Sequence, residues 1–309
     1  MPSNKINKIV TWSFYFFLVL FLVFYLKSID YSKLQNLQIQ WAYIIYCTIA
    51  GIAFRYFGSY IWMSLLQGLG AGVIKEKRQL INVYAKSWMG RYIPGTAPWI
   101  LGKIHFASRY GISKNKLAVS SLLEGGLQIC VTMVLSATLL ILDSRLNVIS
   151  NIVRLLIFAT IIFGIIFMLP PVFNKLVSVV YKIIRKKDLP KEHYASGKTI
   201  LRGVGLYVIN ALIGGLGFFF IAKAVYPALQ YSDILFVIGA SSLAGAVSML
   251  AIFAPSGIGV KEGIQLALLS IVMPTEYALI VTIFTRLWDV AMDFIFLGTS
   301  FALLKAKKL

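Results

Sequence analysis

Several charged residues of this sequence lie within apolar stretches, where a charge is expensive to bury. They are Arg55, Glu124, Arg286, Asp289 and Asp293. An Arg or Asp at the centre of a membrane helix costs about 2.5–3.5 kcal/mol, so such a residue usually pairs with another charge or faces a polar cavity. The spacing of three and then four residues places the last three on one face of a helix.

Two interpretations of these charges remain open at the level of sequence. In the structural one, Arg286 pairs with Asp289, and Arg55 pairs with Glu124 or Glu262, so that the charges lock helices together. In the functional one, the same charges line a cavity that accepts a charged headgroup or a coupling proton. Arg91, Glu124 and Glu262 favour the functional interpretation because they lie beside breaks in the apolar pattern.

The breaks are two Pro/Gly-rich segments at corresponding positions of the two halves of the chain. They are Gly90-Arg91-Tyr92-Ile93-Pro94-Gly95 and Pro255-Ser256-Gly257-Ile258-Gly259-Val260-Lys261-Glu262. Each precedes a short helix, a polar loop and a long helix that carries a charge. The N-terminal ends of the two short helices could present free N–H groups and a positive dipole to an anion. The similarity predicts a repeat with halves of about 40–143 and 200–304; alternatively, Pro and Gly only kink ordinary membrane helices.

Composition places the chain in a membrane. Of its 309 residues, 59% are hydrophobic and 13% are charged, whereas a soluble domain is about 45–50% apolar and about 25% charged. Several stretches reach the roughly 20 apolar residues that a membrane helix needs. They are 9–26, 41–66, 117–142, 148–169, 200–225, 233–254 and 277–304. We expect an all-α polytopic membrane protein with one integral membrane domain, 1–309, and no separate catalytic domain.

The distribution of Lys and Arg predicts the topology, because basic loops stay in the cytoplasm. Lys5 and Lys8 place the N-terminus inside, and the connector 170–199 is strongly basic, with an amphipathic helix at 172–187. The basic C-terminal tail would end outside if every apolar stretch crossed. The conflict disappears if 80–110 and 233–271 are re-entrant hairpins inserted from opposite faces. The prediction is about six full transmembrane helices and two re-entrant helical hairpins in an inverted repeat, with both termini in the cytoplasm and the protein in the plasma membrane.

Other classes of function have little support. The net charge of +19 reflects basic loops between apolar segments rather than a nucleic-acid surface. Cys47 and Cys130 lie in apolar stretches, and His105 and His193 lie far apart, so no metal site, cofactor or disulfide framework is predicted. No catalytic motif is recognisable, and no catalytic residue is assigned.

The two breaks, the downstream Lys103 and Glu124 resemble the signatures of the lysylphosphatidylglycerol synthase transmembrane region. The resemblance covers nearly the whole chain, and the segment 255–262 is its more specific part. It implies a flippase-like domain that translocates lipid. In the full-length synthases a soluble aminoacyl-transferase domain follows, whereas this chain ends at Leu309. We therefore expect a stand-alone member without aminoacyl-transfer activity. Many members carry a basic residue after the buried acid, but here Gly125 follows Glu124.

The leading hypothesis is a flippase or transporter for an anionic phospholipid or a polyprenyl-phosphate-linked envelope precursor. Alternatives are a membrane-embedded transferase acting on lipid-linked sugars and a scaffold for an envelope-biosynthesis complex. The residues predicted to bind the headgroup are Arg55, Arg91, Pro94, Gly95, Lys103, Glu124, Pro255, Gly257, Gly259, Lys261, Glu262, Arg286, Asp289 and Asp293.

Overall fold

The computed structural model describes residues 38–306 except 73, 75, 93–96, 146–149 and 252–253. This part of the chain is helical, as predicted, and contains no strand. Its α-helices are α1 Trp41–Gly68, α2 Lys77–Trp88, α3 Ala97–Ala107, α4 Lys114–Ile141, α5 Asn151–Met168, α6 Pro170–Arg185, α7 Gly197–Val225, α8 Ile234–Leu250, α9 Val260–Leu269 and α10 Thr275–Lys305. The predicted helix at 9–26 lies outside the described residues.

Six helical segments among the described residues are long and apolar enough to cross a membrane. They are Trp41–Gly68, Lys114–Ile141, Asn151–Met168, Lys191–Val225, Tyr231–Leu250 and Thr275–Lys305. Five of them coincide with predicted full spans. The segment Tyr231–Leu250 was instead assigned to a re-entrant hairpin, and its length and composition also suit a full crossing.

The bundle is organised around two long helix contacts. Helix α1 packs along α7, and α4 packs along α8, while α10 contacts α1, α2, α7 and α9. One apolar core joins α1, α7 and α10 through residues such as Cys47, Phe219 and Val281. A second core joins α1, α4, α6 and α7 through residues such as Leu127 and Phe173. Helix α10 is therefore positioned to bring its charged face against several neighbours.

Helix α6 covers one side of α4 and is amphipathic, close to the predicted range 172–187. It starts with two prolines, which suit the first turn because they lack N–H groups. Phe173, Val177 and Tyr181 are buried against the bundle. Val179 and Ile183, by contrast, leave 51% and 73% of their surfaces exposed, so this helix presents apolar surface outward as well.

Two pairs of consecutive helices pack against each other around the Pro/Gly segments. Helices α2 and α3 flank the turn Met89–Tyr92, and α8 and α9 flank the turn Pro255–Gly257. A Cβ at Gly90 would lie 2.9 Å from the backbone nitrogen of Trp99, so the two arms of the first pair approach as closely as only glycine allows. Gly257 has a φ of +66°, which favours glycine. The two turns contact each other.

Candidate functional site

The carboxylate of Asp293 on α10 is the most heavily bonded acid in the described part of the chain. Arg55 donates from Nε to Oδ1 at 2.7 Å, and Trp88 donates from Nε1 to the same oxygen at 3.2 Å. Tyr92 donates its hydroxyl to Oδ2 at 2.6 Å, and Nη2 of Arg91 lies 2.6 Å from that oxygen. Asp293 is only 1% exposed, and these four donors offset the cost of burying its charge.

A second acid on the same helix face, Asp289, connects α10 to α9 and α1. Lys261 Nζ lies 2.6 Å from Asp289 Oδ2. Arg55 Nη2 lies 3.5 Å from Asp289 Oδ1 and donates to its backbone carbonyl at 2.8 Å. Arg55 therefore bridges both acids of α10, and Lys261 extends the network to the short arm of the second broken helix.

The ion pairs expected in the structural interpretation of the sequence were wrong. Arg286 pairs with Glu262 at 3.5 Å and donates to the Ser256 carbonyl at 3.1 Å, rather than pairing with Asp289. Arg55 pairs with Asp289 and Asp293, rather than with Glu124 or Glu262. Spacing along α10 fixes which residues share a face, but the partner depends on which helix packs against that face.

Glu262 also changes the expected role of the α9 terminus. Its Oε2 accepts a hydrogen bond from the Gly259 backbone N–H at 2.6 Å. The start of α9 is thus capped by its own carboxylate, which satisfies a free N–H group and opposes the positive helix dipole. An anion at this helix end would have to compete with Glu262. The corresponding break at Pro94 and Gly95 lies outside the described residues.

A separate, fully buried ion pair joins Lys103 on α3 to Glu124 on α4. Lys103 Nζ donates to Glu124 Oε2, and the Tyr84 hydroxyl donates to Oε1 at 2.9 Å. The ammonium group lies 4.3 Å from the ring centres of Tyr84 and Trp99 and 5.2 Å from that of Trp62. Such distances permit cation–π attraction. Lys103 is 0% and Glu124 is 1% exposed.

The charged network borders a cavity of about 520 Å³, within the usual size of ligand sites. Its charged lining consists of four cations and one acid, Arg55, Arg91, Lys261, Arg286 and Asp289. The counterions Asp293 and Glu262 do not line the cavity. Four positive charges and one negative charge give the lining a formal charge of +3, although the whole network of four cations and three acids carries only +1.

The same cavity has an apolar side made by other helices. Leu122 and Ile129 line it from α4, and Phe173, Leu176 and Val180 line it from α6. Leu176 and Val180, which line it, leave part of their surfaces exposed. The cavity therefore combines a cationic wall from α1, α9, α10 and the 89–92 turn with an apolar wall from α4 and α6.

Three residues of the cavity lining also carry unsatisfied hydrogen-bond donors. Among the described residues, Arg91 Nε, Gln265 Nε2 and Trp288 Nε1 are buried nitrogens without a hydrogen-bond partner, and all three residues line this space. A buried donor that lacks an acceptor costs about 1–3 kcal/mol. These three nitrogens are enclosed by protein, so a ligand in the cavity reaches them only if the side chains move.

The predicted site residues thus separate into groups. Arg55, Arg91, Gly257, Lys261, Arg286 and Asp289 line the cavity, whereas Glu262 and Asp293 lie behind its surface. Lys103 and Glu124 form their own pair. Gly259 precedes α9, and Pro255 belongs to the second turn. Sequence reasoning did not include Tyr84, Trp88 and Trp99 among the site residues. Their position on either side of the first Pro/Gly segment was the signal that could have identified them.

The fold and the site define a polytopic helical membrane protein with a charged, ligand-sized cavity inside its bundle. The family model described as the lysylphosphatidylglycerol synthase TM region matches residues 10–296, so the chain belongs to that family, as the sequence signatures predicted. No curated protein and no solved structure matches it.

Proposed function

We propose that the protein moves an anionic lipid, a phospholipid or a polyprenyl-phosphate-linked precursor, across the plasma membrane. The excess of cations on the lining of the large cavity carries this proposal. Arg55, Arg91, Lys261 and Arg286 line the space with only Asp289 among the acids. A negatively charged headgroup would neutralise this excess in a low-dielectric setting, where charge interactions are stronger than in water.

The apolar lining supports a lipid rather than a small soluble anion. The α4 and α6 residues that line the cavity include Leu122, Phe173 and Val180, and they could contact an acyl or polyprenyl chain. In the proposed arrangement the chain passes between the cavity and the membrane beside Leu176 and Val180, which line the cavity. The guanidinium groups of Arg91 and Arg286, which line the cavity, suit the oxygens of a phosphate group.

The two broken helices suit a transport mechanism because they meet in the bundle and supply cavity residues from both turns, Arg91 and Ser256. In the proposed arrangement they are re-entrant hairpins of an inverted repeat, and alternate movements of the two halves expose the headgroup to either side. Both termini lie in the cytoplasm. The protein acts as a transporter rather than an enzyme, alone or beside an envelope-biosynthesis partner.

Reconstitution tests the proposal directly. Liposomes that contain the purified protein would carry labelled phosphatidylglycerol, labelled polyprenyl phosphate or labelled phosphatidylcholine, and leaflet exchange of each would be measured. We expect faster exchange of at least one anionic lipid than of the zwitterionic lipid. Equal rates for all lipids would contradict selection by the cationic lining, and no exchange above protein-free liposomes would contradict transport.

A further inference from the structure

A second, much smaller cavity lies beside the large one. It offers about 10 Å³ for the centre of a water molecule, which is close to the space that one buried water needs. Its lining residues are Phe54, Arg55, Gly58, Tyr84, Trp88, Gln128, Tyr207 and Asn210. Phe54, Arg55, Trp88 and Gln128 line both cavities, so the small one adjoins the wall of the large one.

Two unsatisfied polar atoms belong to the lining of this small cavity. Among the described residues, the Tyr207 hydroxyl and Asn210 Oδ1 are buried without a hydrogen-bond partner, and the two side chains are 3% and 4% exposed. One can donate and the other accepts. A single water could accept from Tyr207 and donate to Asn210, which removes the cost of burying both atoms unpaired.

The small cavity also reaches the buried ion pair. Tyr84 lines it and donates to Glu124 Oε1 at 2.9 Å, and Tyr207 is close enough to interact electrostatically with Glu124. A Cβ at Gly58 would lie 3.0 Å from the Tyr84 hydroxyl, so this glycine leaves the hydroxyl its space. The small cavity thus adjoins the large cavity and, through Tyr84, the carboxylate of Glu124.

The surroundings of Glu124 suit a change of protonation. The titratable groups placed against it in the described structure are Lys103 from α3, Tyr84 from α2 and Tyr207 from α7. Helix α8 contains no titratable residue, and α5 contains only Arg154, in its first turn. From α1, Arg55 lines the small cavity, and its guanidinium pairs with Asp289 and Asp293. The Lys103–Glu124 pair is neutral overall, and a proton on Glu124 would leave the Lys103 ammonium held by three aromatic rings.

We propose that the small cavity holds an internal water that passes a proton from the lipid cavity to the Glu124 carboxylate. A proton that enters from the large cavity adds to the water, the water passes a proton to the Tyr84 oxygen, and Tyr84 releases its own hydroxyl proton to Glu124 Oε1. Only O–H bonds break and form, and the Lys103–Glu124 pair changes from neutral to a charge of +1.

This inference deepens the proposed function and rests on it in one respect, the link to lipid movement. A positive charge that appears beside the large cavity attracts an anionic headgroup. By linkage, the bound headgroup favours proton uptake equally. Protonation of Glu124 would then be coupled to headgroup binding. Lipid transport would be faster at a pH at which Glu124 is protonated.

Infrared spectroscopy on the purified protein tests the proton route without any lipid. We expect acidification to produce a carboxylic-acid signal that Glu124→Gln lacks. In D₂O, deuterium should replace the carboxylic-acid proton quickly in the native protein, which shifts the infrared signal. The replacement should be at least tenfold slower in the double variant Tyr207→Phe/Asn210→Leu. Tyr181→Phe is the matched control, since its hydroxyl donates to Asn115 at 3.0 Å, away from the small cavity. If Glu124→Gln does not fold, the double variant Lys103→Met/Glu124→Gln, which removes both charges of the pair, is used instead.

Absence of a Glu124-dependent signal, or equal exchange in the double variant and the native protein, would overturn the proton route. A liposome assay separates this from the proposed function. Lipid exchange should depend on pH in the native protein and not in Glu124→Gln. Lipid exchange between leaflets at the same rate at every pH would overturn the proton coupling but not transport. No leaflet exchange of any lipid would overturn the proposed function, and the infrared result alone would then decide the proton route.

Discussion

Arg55 on α1 and Asp293 on α10 form a buried ion pair, with Nε and Oδ1 2.7 Å apart, between residues 238 positions apart in the chain. The pair holds a helix near the start of the described chain against its last helix. It also orients Arg55 so that the same guanidinium reaches Asp289 and lines the large cavity. A structural ion pair and a cavity-lining cation are thus combined in one side chain, and the two interpretations of the sequence do not exclude each other.

Removing the Asp293 charge should destabilise the fold. Asp293→Asn leaves Arg55 and Arg91 with one counterion fewer in a buried setting, and such a loss costs about 3–5 kcal/mol. Thermal unfolding in detergent measures this. The control is Asp188→Asn, because the Lys182–Asp188 pair is largely exposed and should change the midpoint little. Equal midpoints for Asp293→Asn and the native protein would contradict a stabilising role.

Neutralising Lys261 should weaken anion binding more than it weakens the fold. Lys261→Met lowers the formal charge of the cavity lining from +3 to +2 and frees Asp289 to repel the headgroup. We expect at least a fivefold loss of phosphatidylglycerol affinity, measured by native mass spectrometry. The exposed Lys198, in the first turn of α7, gives the control Lys198→Met. Equal affinities for the two variants would argue against a headgroup site here.

Filling the large cavity should block lipid movement without unfolding the protein. Gly245 lines the cavity, and a Cβ built there meets no atom within 4 Å, so Gly245→Leu projects into open space. We expect the leaflet-exchange rate to fall at least tenfold. Gly205 has the same freedom but lies exposed on α7 outside the cavity, and Gly205→Leu should retain the native rate. Retained exchange in Gly245→Leu would place the lipid route elsewhere.

The membrane topology of the second broken helix can be tested by cysteine labelling. Gln230 and Thr275 are exposed positions on either side of α8 and α9. In a background with Cys47 and Cys130 replaced by alanine, Gln230→Cys and Thr275→Cys should both react with an impermeant reagent from outside. Reaction from opposite faces would mean that Tyr231–Leu250 crosses the membrane fully. This result would contradict the predicted inverted repeat.

The loop after α4 should show a pH-dependent contribution to stability. Arg145 donates to both carboxylate oxygens of Asp143, at 2.8 and 2.6 Å, and this lowers the Asp143 pKa below its ordinary value. A lowered folded-state pKa adds stability above the unfolded value of about 3.9 that is lost as the pH falls through the folded value. Asp143→Asn should therefore reduce the thermal midpoint at neutral pH, and the difference should shrink in acid. A difference that does not change with pH would contradict this.

Much of the fold follows from local sequence. The length of each apolar run determines a helix that can cross a membrane, and the described helices begin and end within a few residues of the predicted stretches. The turns at 89–92 and 255–257 follow from Gly90 and Gly257, where close approach or a positive φ requires glycine. The helical period also placed Asp289 and Asp293 on one face. Each of these features depends on neighbours a few residues away.

Only the tertiary structure decided which charges meet. Arg55 pairs with acids on α10, and Arg286 pairs with Glu262, because α10 packs against both α1 and α9. The same packing hides Asp293 behind the cavity wall and leaves the cations on its lining. The aromatic rings around Lys103 likewise come from α1, α2 and α3. Sequence determined the charges and their helices; the rotation and approach of distant helices determined their partners and the sign of the cavity.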